Sequence, residues 1–248
     1  MIRLYGLVGY PLDHSWSAKY FGKKFTEEGI KNHDYQLFPL SDINDLNQLI
    51  ETHPGLKGLN VTIPYKETVI HLLDKLSPEA EKSGAVNTIL IERNSRGIYL
   101  TGFNTDIVGF RQSLVPHLED HHTSAIILGT GGSAKAASFV LEELGIDFIM
   151  VSRNPKGPQQ IAYPKLTPNL IMNTGIIINC TPVGMKRFPG IPPIPYSSIT
   201  PHHLMFDVIY NPEETEFIKK GRLTGAKTIS GLSMFHAQAE AAWKIWNT

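Results

Sequence analysis

Hydrophobic and polar positions along this chain follow two alternating rhythms, short β-rich runs and stretches with helical spacing. That exchange, repeated from end to end, predicts an α/β protein. In the first half, residues 2–8, 35–38, 59–63, 86–91 and 98–100 read as strands, the last two around an "NSRG" turn at 94–97. Helices are predicted over about 17–28 and 42–52, and in the second Ile43, Leu46, Leu49 and Ile50 share a face. An amphipathic stretch through Val69, Leu72 and Leu73 follows the third strand. Within that strand, alternation turns Asn60 and Thr62 to one side and Leu59, Val61 and Ile63 to the other, as in a half-buried strand.

In the second half, residues 124–128, 146–151, 176–179 and 204–209 are strand-like. "GTGGSAKAASFVLEELG" reads as a glycine turn running into a helix. From Arg153 to residue 176, and again in "FPGIPPIP" at 188–195, the chain reads as irregular and rich in proline. "GLSMFHAQAEAAWKIW" closes the pattern as a helix with Phe235, Ala239, Ala242 and Trp246 along one face. A domain boundary is expected near 101–106. Residues 1–103 would form one domain and 104–230 the other, with the helix over 231–248 returning to the first.

Composition narrows the class. Hydrophobic residues make up 42% and charged residues 19%, as in a folded globular chain. Lys+Arg and Asp+Glu both number 23, so no global field favours nucleic acid or an acidic membrane surface. No apolar run reaches the ~18–20 residues of a membrane span, and "MIRLYGLVGYPLDHS" lacks a signal peptide's apolar core. The one cysteine, Cys180, forms no intramolecular disulfide, fits a reducing cytoplasm, and reads as a small buried residue rather than a nucleophile. The pairs His121–His122 and His202–His203 lack partners at ligand spacing, so no metal site is expected.

The most specific local pattern is Gly129-x-Gly131-Gly132-x-Ala134, directly after a strand and opening a helix. In a dinucleotide-binding unit the first glycine makes the tight turn and the second admits the pyrophosphate. The final small residue lets helix and strand pack closely. The bland alternative, a glycine turn without a ligand, is disfavoured by the flanking elements. NAD-binding units place an acidic residue at the end of the next strand, ~20 residues on. Here that end reads Ser152-Arg153-Asn154-Pro155-Lys156, while Asp147 sits at the strand's other end. A guanidinium suits a 2′-phosphate, so position favours NADP over a merely solvated Arg153.

"GLNVTIPYK" adds a second candidate. Pro64 suits the first position of a helix, which would put Lys66 in its first turn, beside partial positive charge. There its pKa would be pushed down, and it could exchange a proton with an alcohol or ketone. Taken alone, the stretch favours an ammonium group reaching water. Asp106 in "TGFNTDIVGF" is either Lys66's partner or a helix-start carboxylate. Asn87 in "SGAVNTI" is a turn residue or a polyol ligand. Ser15 and Ser17 either cap a helix or bind a carboxylate at its N-terminus. His14 is a weaker candidate beside them.

The stretches "HSWS", "NVTIPYK", "GAVNT", "GFNTD", "GTGGSAKA", "NCTPVGM", "DVIYNP" and "GLSMFHAQA", in that order over nearly the whole chain, resemble the shikimate dehydrogenase family. The resemblance implies an N-terminal α/β substrate domain, a Rossmann-like NADP-binding domain and a cleft between them that receives both ligands. It implies reversible oxidation of shikimate to 3-dehydroshikimate, within chorismate and aromatic amino-acid biosynthesis. Lys66 would be the acid/base, oriented by Asp106. Ser15 and Ser17 would bind the substrate carboxylate, Thr62, Asn87 and Asp106 the ring hydroxyls, and Tyr210 and Gln238 would complete the substrate site. Gly129, Thr130, Gly131, Gly132, Ser133 and Ala134 would hold the cofactor's phosphates. Ser152, Arg153 and Asn154 would clamp the 2′-phosphate, with Thr181, Val208 and Gly231 toward the nicotinamide half.

Departures from the family pattern accompany these matches. Ala18 stands where a proline is usual, the following His-Asn is absent, and Lys156 is the nearest further cation where the clamp often has a second arginine. Lysine is a point charge and not a bidentate fork, which weakens the preference for NADP. The rival readings are a quinate/shikimate dehydrogenase using NAD or both cofactors, and a non-catalytic metabolite sensor on the same fold. A sensor has no need of Lys66 and Asp106 together. Small molecules are the expected partners, and monomer and homodimer are both left open.

Overall fold

The computed structural model describes residues 2–12 and 15–248, so His14 lies outside the described residues. Two compact units emerge, one of Met1–Thr105 with Ala239–Thr248 and one of Asp106–Gln238.

The first unit runs β1 (Arg3–Gly9), α1 (Trp16–Glu27), β2 (His33–Pro39), α2 (Leu46–Thr52), β3 (Leu56–Val61), β4 (Lys75–Leu76), α3 (Pro78–Ser83), β5 (Thr88–Asn94) and β6 (Gly97–Phe103). Its sheet has the order β2-β1-β3-β5-β6-β4. β1 pairs in parallel with β2 and β3, while β5 is antiparallel to β3 and β6. β5 and β6 form the hairpin around "NSRG", with Asn94 opposite Gly97.

Several boundaries differ from expectation. The helix predicted over 42–52 splits into a 3-10 turn, Ile43–Asp45, capped by Asp42, and the short α2. β3 ends at Val61 and is buried on both faces, unlike a half-buried strand, because it lies inside the sheet. Ile63, assigned to its apolar face, is 62% exposed. Pro64 begins no helix. It follows a cis peptide bond in a turn, and the next helical residue is Thr68 of a 3-10 helix, Thr68–Leu72.

The second unit starts in α4 (Thr105–Leu114) and continues with β7 (Ser124–Leu128), α5 (Gly132–Glu143), β8 (Asp147–Ser152), β9 (Gln160–Ala162), α6 (Pro168–Met172), β10 (Ile176–Asn179), β11 (Leu204–Asp207), α7 (Glu216–Leu223) and β12 (Lys227–Ile229). The region expected to be irregular after Arg153 therefore holds a strand and a helix, both short. All strand pairs are parallel, in the order β12-β11-β10-β7-β8-β9. Counted along the chain this is 3-2-1-4-5-6 read from the far edge, the doubly wound Rossmann arrangement, with the order reversing between β7 and β10. The continuous apolar runs of β7 and β10 follow from burial on both faces.

α8 (Leu232–Trp246) contributes its last part to the first unit. There Trp246 packs with Tyr5, Phe21 and Tyr35 and donates its indole N–H to the carbonyl of Ile89 at 3.0 Å. A Cβ at Gly58 would lie 2.1 Å from the indole nitrogen, so β3 admits the ring only with glycine there. Glu240 accepts a hydrogen bond from Tyr20 and pairs with Lys24 at 2.8 Å, tying the same segment to α1. Trp246→Ala should therefore cost about 3–5 kcal/mol of stability. Urea unfolding measures this, and a loss below about 1 kcal/mol would contradict the anchoring role.

Candidate functional site

Strand direction decides where side chains can gather. In the first unit the carboxyl ends of β1 and β3 share an edge with the start of the antiparallel β5 and the end of β6. Ser15 and Ser17 follow β1, Thr62 and Lys66 follow β3, Asn87 precedes β5, and Thr105 follows β6. One edge thus collects all five predicted residues of this unit.

Ser15 caps α1, its hydroxyl oxygen accepting the N–H of Ser17 at 3.1 Å. Thr62 is half-buried, and its N–H donates to the carbonyl of Val8 at 2.9 Å. Lys66 is half-buried in the turn two residues before the 3-10 helix. It is not in a first helical turn, so the expectation built on that helix's dipole is withdrawn. Its backbone is nonetheless held, because the Lys66 carbonyl accepts the N–H of Val86 at 2.7 Å.

Asn87 is the hub of this edge and is 3% exposed. Its side-chain oxygen accepts the N–H of Thr105 at 2.7 Å, the Thr105 hydroxyl at 3.0 Å and the Thr88 hydroxyl at 3.1 Å. Its backbone carbonyl accepts from Val61, and its N–H donates to Phe103. Asn87 therefore fixes the first turn of α4 directly before Asp106. The Asn60 amide is a neighbouring structural element. Its oxygen accepts from Tyr35 at 2.8 Å and its nitrogen donates toward the Asn87 carbonyl and the Thr88 hydroxyl. Thr88 escaped sequence reading, although it belongs to a quoted motif.

The second unit brings another group together. Asp106, in the first turn of α4, is 6% exposed. One turn later, a Cβ at Gly109 would lie 2.6 Å from the Met234 carbonyl and 3.1 Å from the Gln238 Cβ, so α4 lies directly against α8. Gln238 donates its amide to the Phe235 carbonyl at 2.9 Å. Phe235 in turn packs on Tyr210, with ring centroids 4.5 Å apart. Burial, with a smaller effect of the Asp106 carboxylate, pushes the Tyr210 phenol up to about 12. Asp106, Tyr210 and Gln238 thus share one neighbourhood.

At the carboxyl edge of the parallel sheet lie the residues expected to meet a cofactor. Gly129 has φ +105 in the turn after β7, and a Cβ there would come 3.2 Å from the Cys180 carbonyl and 3.4 Å from the Thr181 methyl. The turn and Thr181 therefore adjoin at the point where strand order reverses, the usual ligand crevice of such sheets. α5 has no side-chain cap, and its first intrahelical bond runs from the Lys135 N–H to the Gly131 carbonyl at 3.0 Å. The amides of Gly132, Ser133 and Ala134 precede it and have no acceptor within the helix. Nothing lies within 4 Å of a Cβ built at Gly131. Free donors and open space fit a dinucleotide's pyrophosphate. Thr130 completes this turn and is half-buried.

Ser152 ends β8, and its hydroxyl accepts the N–H of Asn154 at 3.1 Å. Arg153, Asn154 and Lys156 are exposed beyond it. Arg153 lies near enough to Tyr163 for its charge to oppose the upward push of burial on that phenol. Val208 follows β11, and a Cβ at Gly231 would lie 2.3 Å from the Val208 carbonyl, so only glycine permits that approach. Cys180 is half-buried, not buried as expected, because it begins the loop that leaves β10. Among the described residues, no three His, Cys, Asp or Glu side chains are arranged to hold a metal. None of the helices among them is long and apolar enough to cross a membrane.

A shikimate dehydrogenase (NADP(+)) of Clostridium beijerinckii is 38% identical to this chain over 254 residues, covering 99% of it and 92% of the relative. The chain belongs to the shikimate dehydrogenase family. A family model described as the shikimate dehydrogenase substrate binding domain matches residues 7–89, inside the first unit. The crystal structure of shikimate dehydrogenase 1 from Peptoclostridium difficile is 37% identical, with TM-score 0.85 over 99% of this chain and 92% of that one. Quinate dehydrogenase from Corynebacterium glutamicum in complex with NAD is 28% identical, with TM-score 0.86 over 99% and 93%. The two-domain α/β fold is that of these relatives.

One buried group of this family member went unread in the sequence. Asp207 is 0% exposed at the end of β11, opposite Asn179 of β10. The signal available was that two otherwise apolar strands each close on a polar residue. Burial pushes the Asp207 carboxyl up to about 6, against hydrogen bonds from Thr215, Ile209 and Asn179 that favour its ionised form. With a folded pKa above the unfolded one, Asp207 contributes stability below about pH 4 that is lost as pH rises through about 6, on the order of 3 kcal/mol. Asp207→Asn should remove that slope. Urea midpoints from pH 4 to 7 should fall less steeply in the variant, and parallel curves would refute the assignment.

Proposed function

We propose that this chain catalyses the reversible, NADP-dependent oxidation of shikimate to 3-dehydroshikimate, a step of chorismate and aromatic amino-acid biosynthesis. The observation that carries this reading is the glycine turn at the sheet's switch point, with open amides and Arg153 beyond the neighbouring strand, in a chain of this family. The unit of residues 106–238 takes the nucleotide role and the other unit the substrate role. Gly129 to Ala134 hold the phosphates, Ser152, Arg153 and Asn154 hold the 2′-phosphate, and Thr181, Val208 and Gly231 meet the nicotinamide half. NADP supplies the acceptor or donor of hydride.

Lys66 takes the hydroxyl proton in oxidation and returns it in reduction, where its charge also favours the developing alkoxide. Asp106 orients Lys66 and binds a neighbouring hydroxyl. Ser15 and Ser17 receive the substrate carboxylate, Thr62 and Asn87 the ring hydroxyls, and Tyr210 and Gln238 complete the site. Support for these roles comes from the common edge that collects the first unit's residues and the shared neighbourhood of Asp106, Tyr210 and Gln238. The cytoplasm is the compartment in which this chemistry and a single cysteine are at home.

A quinate/shikimate dehydrogenase using NAD is the second reading. It is favoured by Lys156 standing where the clamp often has a second arginine, and by the likeness to a quinate dehydrogenase in complex with NAD. Initial rates with each pairing of NADP+ or NAD+ with shikimate or quinate separate the two. NADP+ with shikimate should be fastest, and a strong preference for NAD+ would overturn the cofactor reading. Arg153→Ser should shift the preference toward NAD+ through KM for NADP+. Lys66→Ala should lower turnover by about 10²–10⁴-fold while shikimate binding stays measurable by calorimetry. Unchanged turnover would remove Lys66 from the mechanism.

A further inference from the structure

The buried network at the end of β10 and β11 fixes the direction of every hydrogen bond it contains. Asp207 accepts on one oxygen from the Asn179 amide at 3.1 Å and the Ile209 N–H at 3.1 Å, and on the other from the Thr215 hydroxyl at 2.5 Å. The Asn179 amide nitrogen also donates to the Val183 carbonyl at 3.2 Å. Its oxygen accepts the Thr181 hydroxyl at 2.7 Å and the Thr181 N–H at 3.1 Å. Turning this amide over would set its oxygen against a carboxylate and a carbonyl, and its NH2 against an N–H. Both changes are repulsive, so only one orientation survives.

Thr181 inherits that direction. Its hydroxyl hydrogen is committed to Asn179, and its oxygen already accepts the Val183 N–H at 3.2 Å. Toward a ligand, Thr181 can therefore act only as an acceptor. Resting on the cofactor reading above, which turns Thr181 toward the nicotinamide half, we propose that Asp207, through Asn179, is a positioning residue. It holds Thr181 as an acceptor for the amide hydrogens of the nicotinamide carboxamide. Neither Asp207 nor Asn179 touches the ligand in this account. The closing backbone of β11 and the loop after β10 are held by the same bonds.

Equilibrium binding tests this with two ligands, NADP+ and 2′,5′-ADP, titrated by calorimetry against the full chain. Only NADP+ carries the carboxamide, while both carry the 2′-phosphate. Thr181→Val and Asn179→Ala should each weaken NADP+ by about five- to tenfold, one hydrogen bond's worth, and leave 2′,5′-ADP unchanged. The double variant should lose no more than Thr181→Val alone. Asp207→Asn keeps an oxygen that can face Asn179, and its ratio of the two affinities should return close to the parent's. Asn179→Ala with an unchanged ratio, or with both ligands weakened alike, would overturn the proposal. A parent chain that binds 2′,5′-ADP and NADP+ equally well would overturn it too. A parent that binds neither would overturn the cofactor reading, and this assignment with it.

Discussion

Strand direction is the constraint on which the rest of this molecule depends. A parallel strand leaves its carboxyl end open, and the loop that follows has freedom to carry chemistry. In the second unit β7, β8, β10, β11 and β12 all end on one edge; Ser152 is the last residue of β8, and the glycine turn, Thr181, Val208 and Gly231 come after the other ends. The first unit obtains the same convergence from a mixed sheet, because β5 begins where β1 and β3 finish. Residues far apart in sequence are gathered by this geometry before any side chain makes a specific contact.

Polar side chains inside each unit then hold those loops still. Asn87 does so in the first unit: its amide oxygen holds Thr88 of β5 and Thr105 at the start of α4, and its backbone N–H holds Phe103 of β6. Asp207 and Asn179 do so in the second. All three are buried polar groups with partners on the far side of a turn, the condition under which a hydrogen bond constrains geometry more than it adds stability. The arrangement also explains why these positions tolerate polar residues in apolar surroundings: each donor and acceptor named has a partner of the opposite kind.

Much of the fold was legible because the underlying patterns are strong. Residues 124–128 and 176–179 read as strands from unbroken apolar runs, and the glycine turn from its place between strand and helix. Illegible elements were short or mixed. β9 and β12 span three residues each, too few for any period to register. α6 hides in a proline-rich stretch because Pro168 can start a helix as easily as interrupt a chain. Pro64 shows the opposite error, since a proline that suits a helix start also suits a turn. Lys66, Asp106 and Arg153 stood out as candidates because short motifs carry them. Asp207 and Asn179 stayed hidden because their partnership crosses two strands 28 residues apart, which no local pattern records.

The first unit is closed by a segment that follows the second. Tyr5, Phe21 and Tyr35 pack against an indole supplied by Trp246, and only glycine at position 58 leaves room for it. Synthesis on a ribosome proceeds from the N-terminus, so residues 106–238 have everything their cores require while this aromatic cluster still lacks its last ring. The first unit, although translated first, therefore completes its aromatic cluster only after residues 106–238 have been made. A nascent chain stalled before Trp246 would present an open aromatic surface, the kind of surface that chaperones recognise.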